Sequence, residues 1–224
     1  PHHFFRKEAQ KCGQILPAEG DYGVAMLFFP QDDKGVEDAR RVFEEGCAEA
    51  GVPLLFWREV PVDPHDLGET ARACTPAGDA FERRLYVCRR TIEKKADAEF
   101  ALRDKIFYVC SMSSRTIVYK GMLVATQMRR FFIDLNDAAV KTAVALVHSR
   151  YSTNTTPSWE RAHPNRFIIH NGEINTLKGN VNWIRAREPN LYSPVLQHDL
   201  ERVMPIINRE GSDSAILDNV LEFL

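Results

Sequence analysis

The sequence has 224 residues, of which 44% are hydrophobic, and this is enough to form one large domain around its own core. The formal net charge of -2 gives no basic field for a nucleic-acid backbone, and no apolar run is long enough to cross a bilayer, which argues against nucleic-acid and membrane partners. The five cysteines are widely spaced and never form a Cys-x-x-Cys pair, which argues against a disulfide framework or a zinc site. These features favour a protein of a reducing cytoplasm that acts on small molecules or other proteins.

The N-terminal part of the chain is predicted to contain a strand, helix, strand unit. Residues 22–29 form a short apolar run between turn residues, as in a buried strand. A helix is predicted next, because apolar side chains recur at helical spacing from Val36 to Cys47, and Gly51 stands where a left-handed cap would end it. Residues 53–60 are predicted to be the second strand.

The middle of the chain is predicted to add paired strands. Residues 85–90 and 106–110 alternate apolar with polar or mixed side chains, and residues 115–119 are β-branched, so all three ranges are predicted to be strands. Residues 94–104 are predicted to be a helix.

The last part of the chain contains a long polar loop between two predicted strands. The strands are residues 143–148 and 166–169, and the loop at residues 152–164 is a candidate for function because long loops in compact domains often carry it. Helices are predicted at residues 176–187 and 213–224. Strands outnumber helices and occur in runs, which favours an α+β layered domain over an alternating doubly wound sheet.

Two charged side chains could bind the ends of a free amino acid. Arg150 follows a predicted strand, where a guanidinium can contact a carboxylate in a bidentate way, although an ordinary surface ion pair is the alternative. Asp213 follows Ser212 at the start of the last predicted helix. It either caps free N–H groups there or binds the ammonium group of a ligand.

Asn171 and Gly172 follow the predicted strand at residues 166–169. Asn-Gly is the strongest two-residue hairpin signal, so a plain turn is one interpretation. The functional alternative is an oxyanion hole made by the side-chain amide and a backbone N–H, with glycine allowing the substrate to approach the backbone closely. An oxyanion hole, a partner for an α-carboxylate and a partner for an α-ammonium group are together what an enzyme needs to bind and cleave a free amino acid with a side-chain amide.

Long motifs in a fixed order connect these residues. Together they resemble the large subunit of the glutamate synthases, and the resemblance covers nearly the whole chain, starting from PHHFF at residues 1–5. The other matching motifs are CSMSSRTIVYKGM at 110–122, HSRYSTNT at 148–155, PSW at 157–159, HNGEINT at 170–176, GNVNW at 179–183 and GSDS at 211–214.

The resemblance implies a class II glutamine amidotransferase domain of the N-terminal nucleophile type over residues 1–224. The implied fold is an α+β, four-layer αββα sandwich of two antiparallel sheets between helices. In this family an N-terminal cysteine thiolate attacks the side-chain amide of glutamine, and its own α-amine is the base. Carried over, Arg150 would hold the α-carboxylate of glutamine, Asp213 its α-ammonium group, and Asn171 and Gly172 the oxyanion.

For the parent protein, the resemblance implies that L-glutamine is hydrolysed to glutamate and ammonia, which reductively aminates 2-oxoglutarate in glutamate biosynthesis and ammonia assimilation. FMN and an iron–sulfur cluster are implied for the remaining synthase domains of the same polypeptide, with no cofactor or metal in residues 1–224. The electron donor stays open between ferredoxin, NADPH and NADH, with a small subunit as a further partner. The implied compartment is the cytoplasm, or the plastid stroma for a plant-like protein.

The sequence departs from the family pattern at its start. It begins with Pro1, and the glycine-rich segment expected after the nucleophile is missing. Cys12 lies in a charged helix-to-loop context and cannot offer a free α-amine, while Cys88 and Cys110 fall in predicted strands as small core residues. The chain is therefore expected to be a fragment that lacks the nucleophilic cysteine and the first strand, and to be inactive by itself.

Two other functions stay open at this point. One is the amidotransferase domain of another pathway, which would share only the sparse glutamine contacts; the motifs at residues 110–122 and 179–183 argue against it. The other is a noncatalytic regulatory or assembly module that lost its nucleophile. A cysteine at the mature N-terminus of the native protein would favour the enzyme over the module.

Overall fold

The computed structural model describes residues 1–30, 32–61, 79–100, 107–149, 156–170 and 173–224, and in these ranges the chain forms an α+β fold. The strands are β1 (Val24–Phe28) and β2 (Tyr108–Ser113). The α-helices are α1 (His2–Lys11), α2 (Asp33–Glu49), α3 (Asp79–Phe100), α4 (Met128–Phe131), α5 (Leu177–Arg187), α6 (Leu200–Val203) and α7 (Asp213–Phe223). Short 3₁₀ helices occupy Ile133–Asn136, Glu188–Asn190 and Gln197–Asp199.

The strand and helix predicted for the N-terminal part are confirmed as β1 and α2. Strand β1 pairs antiparallel with β2, in a register that places Val24 opposite Ser113. Helix α2 begins where the Asp32 carboxylate accepts the backbone N–H of Gly35 at 2.9 Å, and Gly51 follows its end with φ of +66°. That φ is in the left-handed region, where glycine carries no steric penalty.

The main core lies where α2 and α3 pack against the sheet. Leu85, Cys88 and Ile92 are 1% exposed or less, and they recur at helical spacing along one face of α3. The predicted strand at residues 85–90 is therefore wrong, because its four apolar residues fit both periods and only the spacing out to Ile92 identifies a helix. The helix predicted at residues 94–104 is confirmed as far as residue 100, and residues 101–104 lie outside the described ranges.

The other predicted strands do not join a β-ladder in the structure. Residues 53–60, 115–119, 143–148 and 166–169 are not strands, although residue 119 forms an isolated bridge. The prediction at 106–110 is confirmed by β2 from residue 108 onward. Side chains take the place of the ladder at some of these positions. The Ser111 hydroxyl, for example, accepts the backbone N–H of residue 118 at 3.1 Å.

The two C-terminal helix predictions are confirmed as α5 and α7. The Ser212 hydroxyl caps α7 by accepting the backbone N–H of Ala215 at 3.3 Å. Within the described ranges, no helix combines the length and the apolar content that crossing a membrane requires.

A buried ion network joins α3 to α7 and to the segment that begins at Arg166. Arg89 is 1% exposed and forms ion pairs with Glu93 and Glu222, while Arg166 contacts Glu93 at 3.0 Å. Burial by itself would raise the pKa of Glu93, but the positive charges of Arg89, Arg166 and Arg90 lower that pKa to about 2. Glu93 is therefore ionised at neutral pH.

Gly46 allows the close approach of α2 to α3. An added Cβ would lie 2.4 Å from Cγ1 of Ile92, so Gly46→Ala is expected to lower the free energy of unfolding by about 1–3 kcal/mol. Gly179→Ala in α5 is the matched control, because nothing lies within 4 Å of its added Cβ. The control is expected to raise stability by up to about 1 kcal/mol through helix propensity. Urea denaturation measures both changes, and a loss of equal size in both variants would contradict the close-packing explanation.

Candidate functional site

The candidate site is built around the first turn of α7. The Asp213 carboxylate accepts the backbone N–H of Ser214 at 2.7 Å and that of Ile174 at 2.8 Å. The positive end of the helix dipole and the unpaired N–H groups of a first turn both favour a carboxylate there. Asp213 thus stands at a helix N-terminus and also contacts a distant segment of the chain.

The segment that contacts Asp213 continues on both sides of residues 171 and 172. On the N-terminal side, the ring of His170 hydrogen-bonds with the Ser214 hydroxyl at 3.2 Å. On the C-terminal side, Ile174 donates its N–H to Asp213. Helix α7 therefore holds the residues that flank the Asn171-Gly172 pair.

Of the four predicted site residues, Asp213 belongs to the described part of the chain. It lies where the motif placed it, at the start of the last helix. Arg150, Asn171 and Gly172 lie outside the described residues, so their roles stay predictions. The flanking contacts place His170 and Ile174 at the same helix end as Asp213.

A pair of buried histidines precedes this segment, and neither of them is among the predicted site residues. The rings of His148 and His163 stack with centroids 4.5 Å apart, and His163 is 3% exposed. Burial lowers the pKa of His163 to about 4, with further contributions from the charges of His148, Lys120 and His170. His163 is therefore neutral at pH 7. The available signal was the position of this residue inside the predicted functional loop at residues 152–164.

Three of the described cysteines are buried, which makes them poorly accessible to a substrate. Cys47, Cys88 and Cys110 are buried, and burial raises the pKa of Cys110 to about 11, so its thiolate is scarce at neutral pH. Cys110 lies in β2 as predicted, whereas Cys88 is a core residue of α3 rather than of a strand. Cys12 is exposed at the end of α1.

The described part of the chain shows no grouping of side chains suited to a metal ion. Across those ranges, no group of three or more His, Cys, Asp or Glu side chains is placed to hold a metal ion. An iron–sulfur cluster is usually held by four converging thiolates, whereas the contact between described cysteines is a single pair, Cys47 and Cys88, with sulfurs 3.7 Å apart. These residues do not fit such a cluster.

Comparison with known families agrees with this geometry. The family described as "Glutamine amidotransferases class-II" matches residues 1–224. The chain belongs to the class II glutamine amidotransferases.

The chain is similar to glutamate synthases from bacteria, fungi and plants. The chain is 44% identical over 237 residues to the glutamate synthase (NADPH) large chain of Bacillus subtilis, with 100% of this chain and 15% of that protein covered. It is 40% identical to the glutamate synthase (NADH) of Schizosaccharomyces pombe, with 100% of the chain and 11% of that protein covered. It is 39% identical to the chloroplastic ferredoxin-dependent glutamate synthase of Oryza sativa subsp. japonica, with 100% and 15% covered. The chain thus spans a small part of the length of the curated relatives it matches.

Proposed function

We propose that residues 1–224 are part of the glutaminase domain of a glutamate synthase. The observation that carries this proposal is the contact of Asp213 with the backbone of Ile174, directly after the HNGE motif. It joins the predicted ammonium-binding carboxylate to the segment of the predicted oxyanion donors. The similarity to glutamate synthases with three different electron donors in their names supports the same function.

Asp213 has capacity left for an ammonium group. Its two carboxylate oxygens accept backbone N–H groups from Ser214 and Ile174 and a weaker contact from the Ser214 hydroxyl at 3.2 Å. An ionised carboxylate has about four lone-pair sites, so the side chain is oriented by these contacts without being saturated. In the proposal Asp213 binds the α-ammonium group of glutamine and Arg150 binds its α-carboxylate.

The chemistry requires a nucleophile from an N-terminal cysteine, and none of the cysteines in residues 1–224 has a free α-amine. The thiolate forms a C–S bond with the side-chain carbonyl carbon, and Asn171 and Gly172 stabilise the oxygen as it becomes negative. The C–N bond then breaks, and the nitrogen leaves as ammonia after taking the proton that the α-amine had accepted. Water cleaves the thioester, which gives glutamate and regenerates the thiol.

The wider features of the enzyme belong to the same proposal. The β1–β2 sheet would be part of one of the two antiparallel sheets in a four-layer αββα sandwich. FMN and an iron–sulfur cluster would be held by other domains of the same polypeptide, where ammonia aminates 2-oxoglutarate with electrons from ferredoxin or a nicotinamide nucleotide, with or without a small subunit. The compartment would be the cytoplasm, or the plastid stroma in a plant.

The test is glutamine hydrolysis by the native polypeptide that contains these residues, followed as ammonia release. Arg150→Lys is expected to raise KM for glutamine about ten- to a hundredfold with little change in kcat, because lysine cannot replace a bidentate contact. Arg185→Lys on the exposed surface of α5 is the matched control and is expected to leave both constants unchanged. Absence of ammonia release from a polypeptide with an N-terminal cysteine would disprove the proposal and favour a noncatalytic module.

A further inference from the structure

Three side chains of α7 contact the segment that contains the predicted oxyanion pair. Asp213 accepts the N–H of Ile174 after the pair, and Ser214 hydrogen-bonds with His170 before it. The third side chain is Asp218, one and a half turns further along the helix. Its contacts have no role in the glutamine contacts proposed above.

Asp218 holds three consecutive backbone N–H groups. One carboxylate oxygen accepts the N–H of Arg166 at 3.0 Å, and the other accepts those of Phe167 and Ile168 at 2.7 and 2.9 Å. Asp218 is 1% exposed. A buried carboxylate is costly unless its oxygens are hydrogen-bonded, and bonds to a charged acceptor are stronger than neutral ones. Asp218 therefore fixes this stretch of backbone firmly.

The location of these contacts connects them to the proposed catalysis. Residues 166–168 are not part of a β-ladder, so the carboxylate of Asp218 provides what a neighbouring strand would otherwise provide. The chain runs from Ile168 to Asn171 within three residues. Since Asp213 and Asp218 belong to one rigid helix, the same element orients the ammonium partner and anchors the approach to the oxyanion donors.

We propose that Asp218 is a positioning residue for glutamine hydrolysis, which fixes the backbone at residues 166–168 on the approach to the predicted Asn171-Gly172 donors. This inference rests on the proposed function. Oxyanion donors act only when they lie about 2.7–3.1 Å from the developing charge, and a misplacement of about 1 Å can cost roughly a hundredfold in rate. Loosening the backbone at residues 166–168 thus lowers kcat, whereas the glutamine contacts of Arg150 and Asp213 persist.

The experiment compares Asp218→Asn and Asp218→Ala in the native polypeptide. Asparagine keeps one acceptor oxygen and turns an NH₂ group toward an N–H donor, so kcat for ammonia release is expected to fall about tenfold. Alanine removes both acceptor oxygens, and kcat is expected to fall about a hundredfold. KM is expected to stay within about threefold, which identifies loss of transition-state stabilisation rather than of substrate binding.

A substrate analogue separates positioning from general loss of structure. The thiolate adds to the aldehyde carbon of glutamate γ-semialdehyde, and the aldehyde oxygen becomes an oxyanion at the same donors. The inhibition constant of the semialdehyde should therefore rise in proportion to the fall in kcat. The affinity for L-glutamate, which needs only the α-carboxylate and α-ammonium contacts, should stay constant. Ser214→Ala removes the contact with His170 and the weaker contact of the same hydroxyl with Asp213, and it should show a smaller fall in kcat of the same kind.

Asn219→Ala is the matched control on α7. The Asn219 side chain also accepts a backbone N–H, that of Asn208 at 2.8 Å, in a segment that leads to Asp213 and not to the oxyanion pair. Any effect of this variant should therefore fall on KM. Its kcat should equal that of the wild type. If the wild type hydrolyses glutamine and both Asp218→Asn and Ser214→Ala keep its kcat, the inference fails while the proposed function stands. If the wild type with its N-terminal cysteine releases no ammonia, both fail. Should Asp218→Ala not fold, Asp218→Asn and Ser214→Ala decide the question.

Discussion

Asn171→Ala is expected to lower kcat for glutamine hydrolysis by about a hundred- to a thousandfold, because one oxyanion donor contributes that much in comparable acyl-transfer sites. KM should change little, since the donor acts on charge that develops after glutamine has bound. Steady-state ammonia release by the native polypeptide measures both constants.

Asn182→Ala is the matched control for this prediction. Asn182 lies on the exposed surface of α5 and belongs to another motif of the same resemblance, so its loss should leave kcat unchanged. A variant at Asn171 that raises KM and keeps kcat would show that this side chain binds the ground state and is no oxyanion donor.

Glu93→Gln is expected to lower the free energy of unfolding by about 3–5 kcal/mol, because it leaves buried arginines without their shared carboxylate. Arg89, 1% exposed, and Arg166 both contact Glu93. Urea denaturation at neutral pH measures the loss. Glu45→Gln is the matched control, because the Glu45 side chain is 48% exposed in its pair with Arg41, and its loss should cost less than about 1 kcal/mol.

The same carboxylate predicts a pH dependence of stability. The pKa of Glu93 falls from the ordinary value of 4.5 to about 2 in the folded protein. A depressed pKa stabilises the fold above the unfolded pKa, so this contribution of about 3 kcal/mol is fully present above pH 4.5 and is lost as the pH falls toward 2. In Glu93→Gln, this part of the acid destabilisation should be absent. If the variant shows the full wild-type decrease in the free energy of unfolding between pH 4.5 and 2, other carboxylates cause that decrease.

The elements that were predicted correctly are those whose ends and periodicity are marked by adjacent residues. Helix α2 has an acidic cap, apolar residues at helical spacing and a terminal glycine, and α7 has a serine cap, so both are readable from adjacent residues. Helix α3 was misread at residues 85–90 because a short apolar stretch is compatible with two periods. The strand predictions at residues 53–60, 115–119, 143–148 and 166–169 are wrong for a different reason. β-Propensity describes the surroundings that suit a side chain and cannot show whether a partner strand is present.

The candidate site was predictable only where a motif marks it. Asp213 is part of such a motif, and so are Arg150 and Asn171. Asp218 has no comparable signal, because an aspartate inside an amphipathic helix reads as a solvent-facing charge. Its burial and its three backbone contacts depend on residues about fifty positions earlier in the chain, and this long-range packing is what the sequence alone could not provide.

The contacts of Asp218 also bear on which mutations the enzyme can accumulate. Asp218 recognises main-chain N–H groups, which every amino acid except proline carries. The side chains of Phe167 and Ile168 therefore take no part in this recognition, and Phe167 is 52% exposed. The two positions can vary widely in side chain during evolution without disturbing the anchor, whereas a single change to proline at either one removes a donor.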